Sequence, residues 1–301
     1  MARTEHYIQA ARLRTLPLSV SGIIVGTGIA ASENKFNLLV FILALGTTIG
    51  FQVLSNFAND YGDGIKGTDD ERVGELRLIA AGLITPEQMK MAMIFTTVFT
   101  LLCALALIYV AFGNENITKS GVFFILGIAS IVAAIKYTVG ESAYGYSGLG
   151  DVFVFLFFGL LSVLGSYYLY THEFGGWLMV LPAMAFGMLS AAVLNLNNMR
   201  DQIQDRKANK NTLVVTLGSQ KAKVYHFSLI IGALVLLVIY RIVQTTISYN
   251  DWLFLIAFIP LFLNLKVVAQ NIIFRELDTE LKKVALSTFF CAILFTLESF
   301  L

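Results

Sequence analysis

One crossing of a lipid bilayer takes about 20 mostly apolar residues, and nine stretches of this 301-residue chain meet or approach that length. They cover residues 16–31, 36–58, 91–113, 121–137, 152–170, 177–196, 224–243, 252–269 and 284–301. Hydrocarbon offers the backbone no hydrogen-bond partner, so open segments that cross it must be helical. The expected fold is therefore all-α, a polytopic bundle of nine transmembrane helices. Composition agrees: 57% of residues are hydrophobic and 14% charged, against about 25% charged in a soluble domain. Arg12 and Arg14 precede the first stretch as they would in a signal peptide, but counting it as a span closes the topology.

Charge orients the bundle. With the N-terminus inside, alternate connections hold all 21 Lys and Arg residues except Lys35, Lys119 and Arg241. The positive-inside rule then gives N-in, C-out and a cytoplasmic membrane location. The net charge of +1 gives no reason to expect nucleic acid as a partner. Cys103 and Cys291 both sit in apolar runs and supply neither a disulfide framework nor metal-ligand spacing. His6, His172 and His226 do not cluster and read as structural or solvated.

External connections are short. Three internal ones, about 59–90, 138–151 and 197–223, carry most of the polar residues, and long loops are uncommon unless they work. The first and third open on similar acidic patterns, Asn59-Asp60-Tyr61-Gly62-Asp63 and Asn197-Asn198-Met199-Arg200-Asp201. They follow the second and sixth stretches, so the motif recurs after four helices. A single domain over 1–301 is expected, built from related four-helix halves at about 12–138 and 150–270 plus a ninth helix. The acidic motifs are expected in two cytoplasmic loops, and the cytoplasmic face is the active one.

Asn197, Asp201 and Asp205 are spaced i, i+4, i+8, and Asn59 and Asp63 repeat the i, i+4 step with Asp60 adjacent and Asp69 further on. On a helix, like charges four apart repel, and a divalent cation removes that repulsion. Magnesium favours oxygen ligands and commonly combines one or two carboxylates with substrate phosphate oxygens. Two such clusters at the mouth of a helical bundle would hold a diphosphate between metal sites, with Arg72, Arg77, Lys136, Arg200 and Lys210 on the remaining phosphate oxygens. Asp63 and Asp201 are the catalytic candidates. Capping or solvation is the competing reading for an isolated acid such as Asp60 or Asp70. Asn56, one turn before Asn59, either orients the first cluster or makes a helix-packing contact. Asp251, beside Trp252 on the opposite face, is expected to be an exposed loop carboxylate.

These motifs resemble those of the UbiA superfamily of intramembrane prenyltransferases, and within it the 1,4-dihydroxy-2-naphthoate polyprenyltransferase branch. The residues that carry the resemblance are Ala11–Pro17, Asn59–Asp63 with Lys66-Gly67-Thr68-Asp69, Tyr144–Asp151, Asn198–Asp201 with Asp205, and Lys210 with Thr212-Leu213 before Leu217-Gly218. Three positions depart from the pattern: Glu75 in place of Pro, Ser142-Ala143 in place of a Pro-containing approach, and Asn209 in place of Gly.

The resemblance implies a Mg-dependent enzyme that transfers a polyprenyl group from polyprenyl diphosphate to 1,4-dihydroxy-2-naphthoate. Diphosphate and carbon dioxide would be lost, and the product would be the demethylated quinol of menaquinone biosynthesis. Lys66 joins the diphosphate-binding set and Arg14 the substrate-binding set by the same likeness. Tyr144 and Tyr146, on the active face, are candidates to stabilise an allylic cation through their π faces. The same fold with 4-hydroxybenzoate, homogentisate, haem or a chlorophyll precursor as acceptor is the alternative within the superfamily. A secondary transporter is the alternative from another class, but transporters place their sites near mid-membrane, and here every motif carboxylate lies at the cytoplasmic edge.

Overall fold

The computed structural model of the protein describes residues 2–66, 77–114, 116–141, 143–244 and 249–297, and among them the chain is helical with no strand. A short helix, α1 (Thr4–Ala11), ends where Arg12 turns left-handed at φ 49° and ψ 61°. A single 3-10 turn leads into α2 (Leu16–Ser32), whose first turn contains Pro17. Proline fits there because the first helical N–H groups have no partner in any case. Then follow α3 (Leu38–Lys66), α4 (Pro86–Phe112) and α5 (Ile117–Lys136). The second half holds α6 (Gly150–Thr171), α7 (Val180–Lys207) and the short α8 (Leu213–Leu217). It closes with α9 (Ser219–Val243), α10 (Leu255–Gln270) and α11 (Leu277–Thr296).

Each predicted apolar stretch coincides with a helix. Among the described residues seven helical segments are long and apolar enough to cross a membrane, the first being 4–32 as a unit. The other two differ: α10 has only 16 residues, and α11 carries Asp278, Glu280, Lys282 and Lys283 in its first two turns. Side chains such as Phe95, Ile125, Leu263 and Val224 face outward, as they do where the solvent is lipid.

The acidic motifs are not in loops. Helix α3 continues past its apolar part through Asn59, Asp63 and Lys66, and α7 continues through Asn197, Asp201 and Asp205 to Lys207. Main-chain hydrogen bonding along the extended helix satisfies the polar backbone, so the helix does not stop where hydrophobicity does. Asp69, expected in the first cluster, and Arg72, expected on the diphosphate, lie outside the described residues, as do Glu75 and Ser142.

Helices α2 and α7 are the most enclosed and form the centre of the bundle. Small residues allow the close approach, as in other membrane interfaces. A Cβ on Gly159 of α6 would lie 2.5 Å from the Gly187 Cα of α7, and one on Gly22 of α2 would lie 2.3 Å from the Ser162 hydroxyl of α6. The middle of α6, Phe155–Leu161, is a π-helical segment. Its wider turn re-aims Phe157, Phe158 and Leu161, which line the cavity described below.

Two buried polar groupings stitch the far side. His226 of α9 shares a 2.8 Å hydrogen bond with Asn264 of α10, which donates to Glu280 of α11, also at 2.8 Å. His226 is thus structural. Asp251 is not exposed: it is buried against Arg241 at 3.3 Å, and Arg241 also donates to the Phe295 carbonyl and lies over the Phe295 ring. An apolar surround makes this pair intolerant of losing one member. Asp251→Asn should therefore lower the thermal midpoint in detergent, with a loss on the order of 3 kcal/mol, while kcat/KM per folded molecule stays at the parent value. A variant as stable as the parent would show the pair to be dispensable.

Candidate active site

A cavity of about 410 Å3 opens among the polar ends of α3, α7 and the N-terminal turn and runs inward between α4, α5 and α6. Arg12, Arg14, Asn56, Asn59, Asp63, Arg77, Asn197, Asn198, Lys210 and Lys282 line the polar part. Leu107, Ile108, Phe123, Leu126, Phe157, Phe158, Leu161 and Leu169 line the apolar part. Charge at one end and hydrocarbon at the other suits an amphiphile with an anionic head.

Asp63 is the centre of the polar end. Its carboxylate, almost fully buried, accepts a hydrogen bond from the Tyr146 hydroxyl at 2.8 Å and from Arg77 at 3.1 Å, and Lys210 stands 3.8 Å away. Lys66 and Lys210 both lie over the Tyr146 ring, at 4.0 and 5.2 Å from its centroid. Three residues from three connections, Arg77, Tyr146 and Lys210, therefore converge on one carboxylate. Asp60, one helical step away, does different work. Its two oxygens accept the main-chain N–H groups of Leu78 and Ile79 at 3.0 and 3.2 Å. That pins the returning chain and brings Arg77 to Asp63.

The Tyr-Gly connection is laid across the end of α3. Thr138 donates to the Ala58 carbonyl at 2.9 Å and to the Asn59 side chain at 3.2 Å, and Lys66 donates to the Thr138 carbonyl at 2.9 Å. Gly62 makes room, since a Cβ there would meet the Thr138 carbonyl at 2.7 Å. The Tyr146 carbonyl accepts from Asn211 at 3.1 Å, joining this connection to the one after α7. Asn209 stands left-handed at φ 54°, a conformation asparagine tolerates better than most side chains, which accounts for its replacing glycine. Thr212 caps α8 by accepting from Val215 at 3.3 Å, so that part of the motif is structural.

Tyr144 lines the cavity, donates to the Ala133 carbonyl at 2.9 Å, and stacks on Phe153 with ring centroids 3.9 Å apart. Burial pushes its phenol well above the ordinary range. The ring presents a neutral π face. Asn56 donates to the Ala11 carbonyl at 2.8 Å and to Thr15 at 3.1 Å. It fastens the N-terminal turn to α3, and that turn carries Arg12 and Arg14 to the cavity mouth.

The second acidic motif is built differently from the first. Arg200 donates to both oxygens of Asp201 at 2.7 Å, to Asn197 at 2.9 Å, and to Asp278 of α11. Arg200 and Asp201 are buried behind the cavity wall, and Asn197 is the member that reaches the cavity. Asp205 is half-buried beyond it, and its carbonyl accepts the Lys210 N–H at 2.8 Å. Lys136 is exposed and does not line the cavity.

Arg12, Asn198 and Lys282 line the cavity, and Asp278 stands behind its wall on Arg200; sequence reasoning passed over all four as site residues. For the last two a signal existed: charges at the start of an otherwise apolar stretch need a partner.

Among the described residues no three His, Cys, Asp or Glu side chains gather into a ready metal cage. The donors lining the mouth are amide and carboxylate oxygens from two helices, Asn59 and Asp63 on α3 and Asn197 on α7, with Asp205 about two turns further along α7. That chemistry fits magnesium, which takes few protein ligands and completes its shell from phosphate and water.

Comparison with known proteins agrees with this geometry. Residues 19–294 match the sequence profile described as the UbiA prenyltransferase family. The 1,4-dihydroxy-2-naphthoate octaprenyltransferase of Escherichia coli K12 is 46% identical over 279 residues, covering 92% of this chain and 88% of that one. The protein of the same description from Haemophilus influenzae is 47% identical over 252 residues, covering 83% and 80%. Among solved structures, a UbiA homolog from Archaeoglobus fulgidus bound to GPP and Mg2+ superposes with TM-score 0.68 at 15% identity, covering 96% of this chain and 99% of that one. A homolog from Aeropyrum pernix K1 in its apo form gives 0.67 at 14% identity, covering 96% and 98%.

Proposed function

The chain belongs to the UbiA prenyltransferase family, and we propose that its cavity joins a polyprenyl diphosphate to 1,4-dihydroxy-2-naphthoate in menaquinone biosynthesis. The observation that carries this reading is Asp63, a buried carboxylate ringed by Arg77, Lys210 and Tyr146 at the junction of a polar mouth and an apolar channel. The identity to naphthoate prenyltransferases over most of their length favours that acceptor over 4-hydroxybenzoate.

In the reaction the bond between prenyl C1 and the diphosphate oxygen breaks with its electrons on oxygen. A ring carbon of the naphthoate forms the new bond to C1, and the ring carboxylate leaves as carbon dioxide. Arg77, Lys210 and Lys66 would transfer from Asp63, Tyr146 and Thr138 to the diphosphate oxygens when substrate enters. Asn59, Asp63, Asn197 and Asp205, with Asp69, would hold magnesium, and Asp201 supports them through Arg200. Magnesium bound there would stabilise negative charge on the leaving group. The apolar channel takes the isoprenoid chain and keeps water from the allylic cation, with the neutral Tyr144 face beside it.

In the bilayer we read nine crossings, N-terminus inside, with the mouth on the cytoplasmic side of the cytoplasmic membrane and α10 and α11 completing the count. The distribution of basic residues supports that orientation. The repeated motif on α3 and α7 supports two related halves, 12–138 and 150–270, followed by α11.

The test is product analysis with purified protein, labelled polyprenyl diphosphate and a panel of aromatic acids. One carbon dioxide per prenyl transferred to 1,4-dihydroxy-2-naphthoate is expected, with activity abolished by chelation and restored by magnesium. Transfer to 4-hydroxybenzoate with none to the naphthoate would overturn the acceptor, and full turnover in metal-free protein would overturn the metal.

A further inference from the structure

Behind the cavity wall, Arg200 reaches across to Asp278 in the first turn of α11. Asp278 lies 73 or more residues beyond the acidic motifs in sequence and belongs to neither. Yet it completes the coordination of the guanidinium: two nitrogens of Arg200 clasp Asp201, one of these also reaches Asn197, and the third is held by Asp278. We infer that Asp278 is a positioning residue for the second acidic motif, holding Arg200 so that Asn197 faces the cavity and the cluster keeps a net negative charge toward a bound cation.

Charge arithmetic supports the role. Arg200 with Asp201 alone is neutral, a poor neighbour for a divalent ion. With Asp278 the three groups sum to −1. A shared guanidinium neutralises neither carboxylate fully, so the motif retains field at the mouth although none of the three lines the cavity. Orientation supports it as well. The amide of Asn197 is held by the Arg200 nitrogen at 2.9 Å, and a planar guanidinium gripped on two sides cannot swivel. Groups that orient metal-binding residues from behind commonly matter about 10–100-fold in affinity or activity.

Exposure separates this role from simple packing. The Arg200 side chain is 1% exposed and that of Asp278 is 37% exposed. Removing Asp278 leaves Arg200 paired with Asp201, so no buried charge is stranded and the fold should tolerate the change.

The inference rests on the prenyl-transfer reading above, and the experiment separates the two. Parent, Asp278→Asn and Asp278→Glu are titrated with magnesium in two assays. One is prenyl transfer; the other is thermal stabilisation by geranyl S-thiolodiphosphate, an unreactive prenyl diphosphate analogue. For Asp278→Asn, half-saturating magnesium should rise about 10-fold in both assays, with kcat at saturating magnesium close to the parent value and the ligand-free midpoint unchanged. Asp278→Glu should return the magnesium dependence to near the parent value. Identical half-saturation for Asp278→Asn and parent would overturn the inference alone. A uniform loss of activity with a lowered ligand-free midpoint and unchanged half-saturation would reduce Asp278 to a helix contact. Absence of magnesium dependence in the parent itself would instead remove the reading on which the inference stands.

Discussion

Asp63→Asn should lower kcat/KM by at least about 10²-fold, the usual loss when one preorganised electrostatic contact to a reacting charge is removed. The substitution keeps the size of the side chain and one acceptor for the Tyr146 hydroxyl. It removes the charge that balances Arg77 at 3.1 Å and Lys210 at 3.8 Å. Those two cations then lose the Asp63 charge, so binding of the diphosphate head should be retained or strengthened while turnover falls. The loss should appear in kcat more than in KM for the prenyl diphosphate, and excess magnesium should recover only part of it. The measurement is prenyl transfer normalised to folded protein across a magnesium titration. If Asp63→Asn turns over like the parent throughout, Asp63 is only a resting partner for Arg77 and Lys210.

The second large effect is expected at Arg200, and on stability first. Arg200→Met removes the guanidinium that donates to both Asp201 and Asp278. Asp201 is almost fully enclosed, and stranding one member of a buried ion pair costs about 3–5 kcal/mol. The variant should give little folded protein in detergent and a sharply lowered thermal midpoint. The double variant Arg200→Met with Asp201→Leu separates the two roles of the pair, since apolar replacements of a buried ion pair are often neutral for folding. It should recover the midpoint and remain inactive, because Asn197 has lost the group that orients it. Recovery of both folding and activity would make the Arg200–Asp201 pair purely structural.

Much of this protein was legible in its sequence because its solvent imposes so blunt a constraint. An apolar stretch that must hide every backbone hydrogen bond becomes a helix, and each of these stretches did over its described residues. Repetition of Asn and Asp at four-residue spacing marked the chemistry, because such charges at a membrane edge need a reason. Asn59, Asp63 and Asn197 do reach the cavity, with Arg14, Asn56, Arg77, Tyr144 and Lys210 beside them.

What sequence could not decide was which polar residue faces which partner, since that depends on how helices and connections pack. Helices α3 and α7 run past the end of hydrophobicity, so motifs expected in loops are helical. Asp60 and Asp63 are three residues apart and look alike, but one holds a main-chain turn and the other meets three side chains, because only Asp63 lies under Tyr146 and Arg77. Asp251 has a loop composition around it and is buried, because Arg241 of a neighbouring helix reaches it. Arg200, expected on phosphate, is turned away by Asp201 and by Asp278 from the last helix. Local sequence determines that a segment is a helix and that it carries charge. The direction of each charge is settled by contacts between residues far apart in the chain, where an unpaired ion in a low-dielectric interior costs more than any local preference can offset.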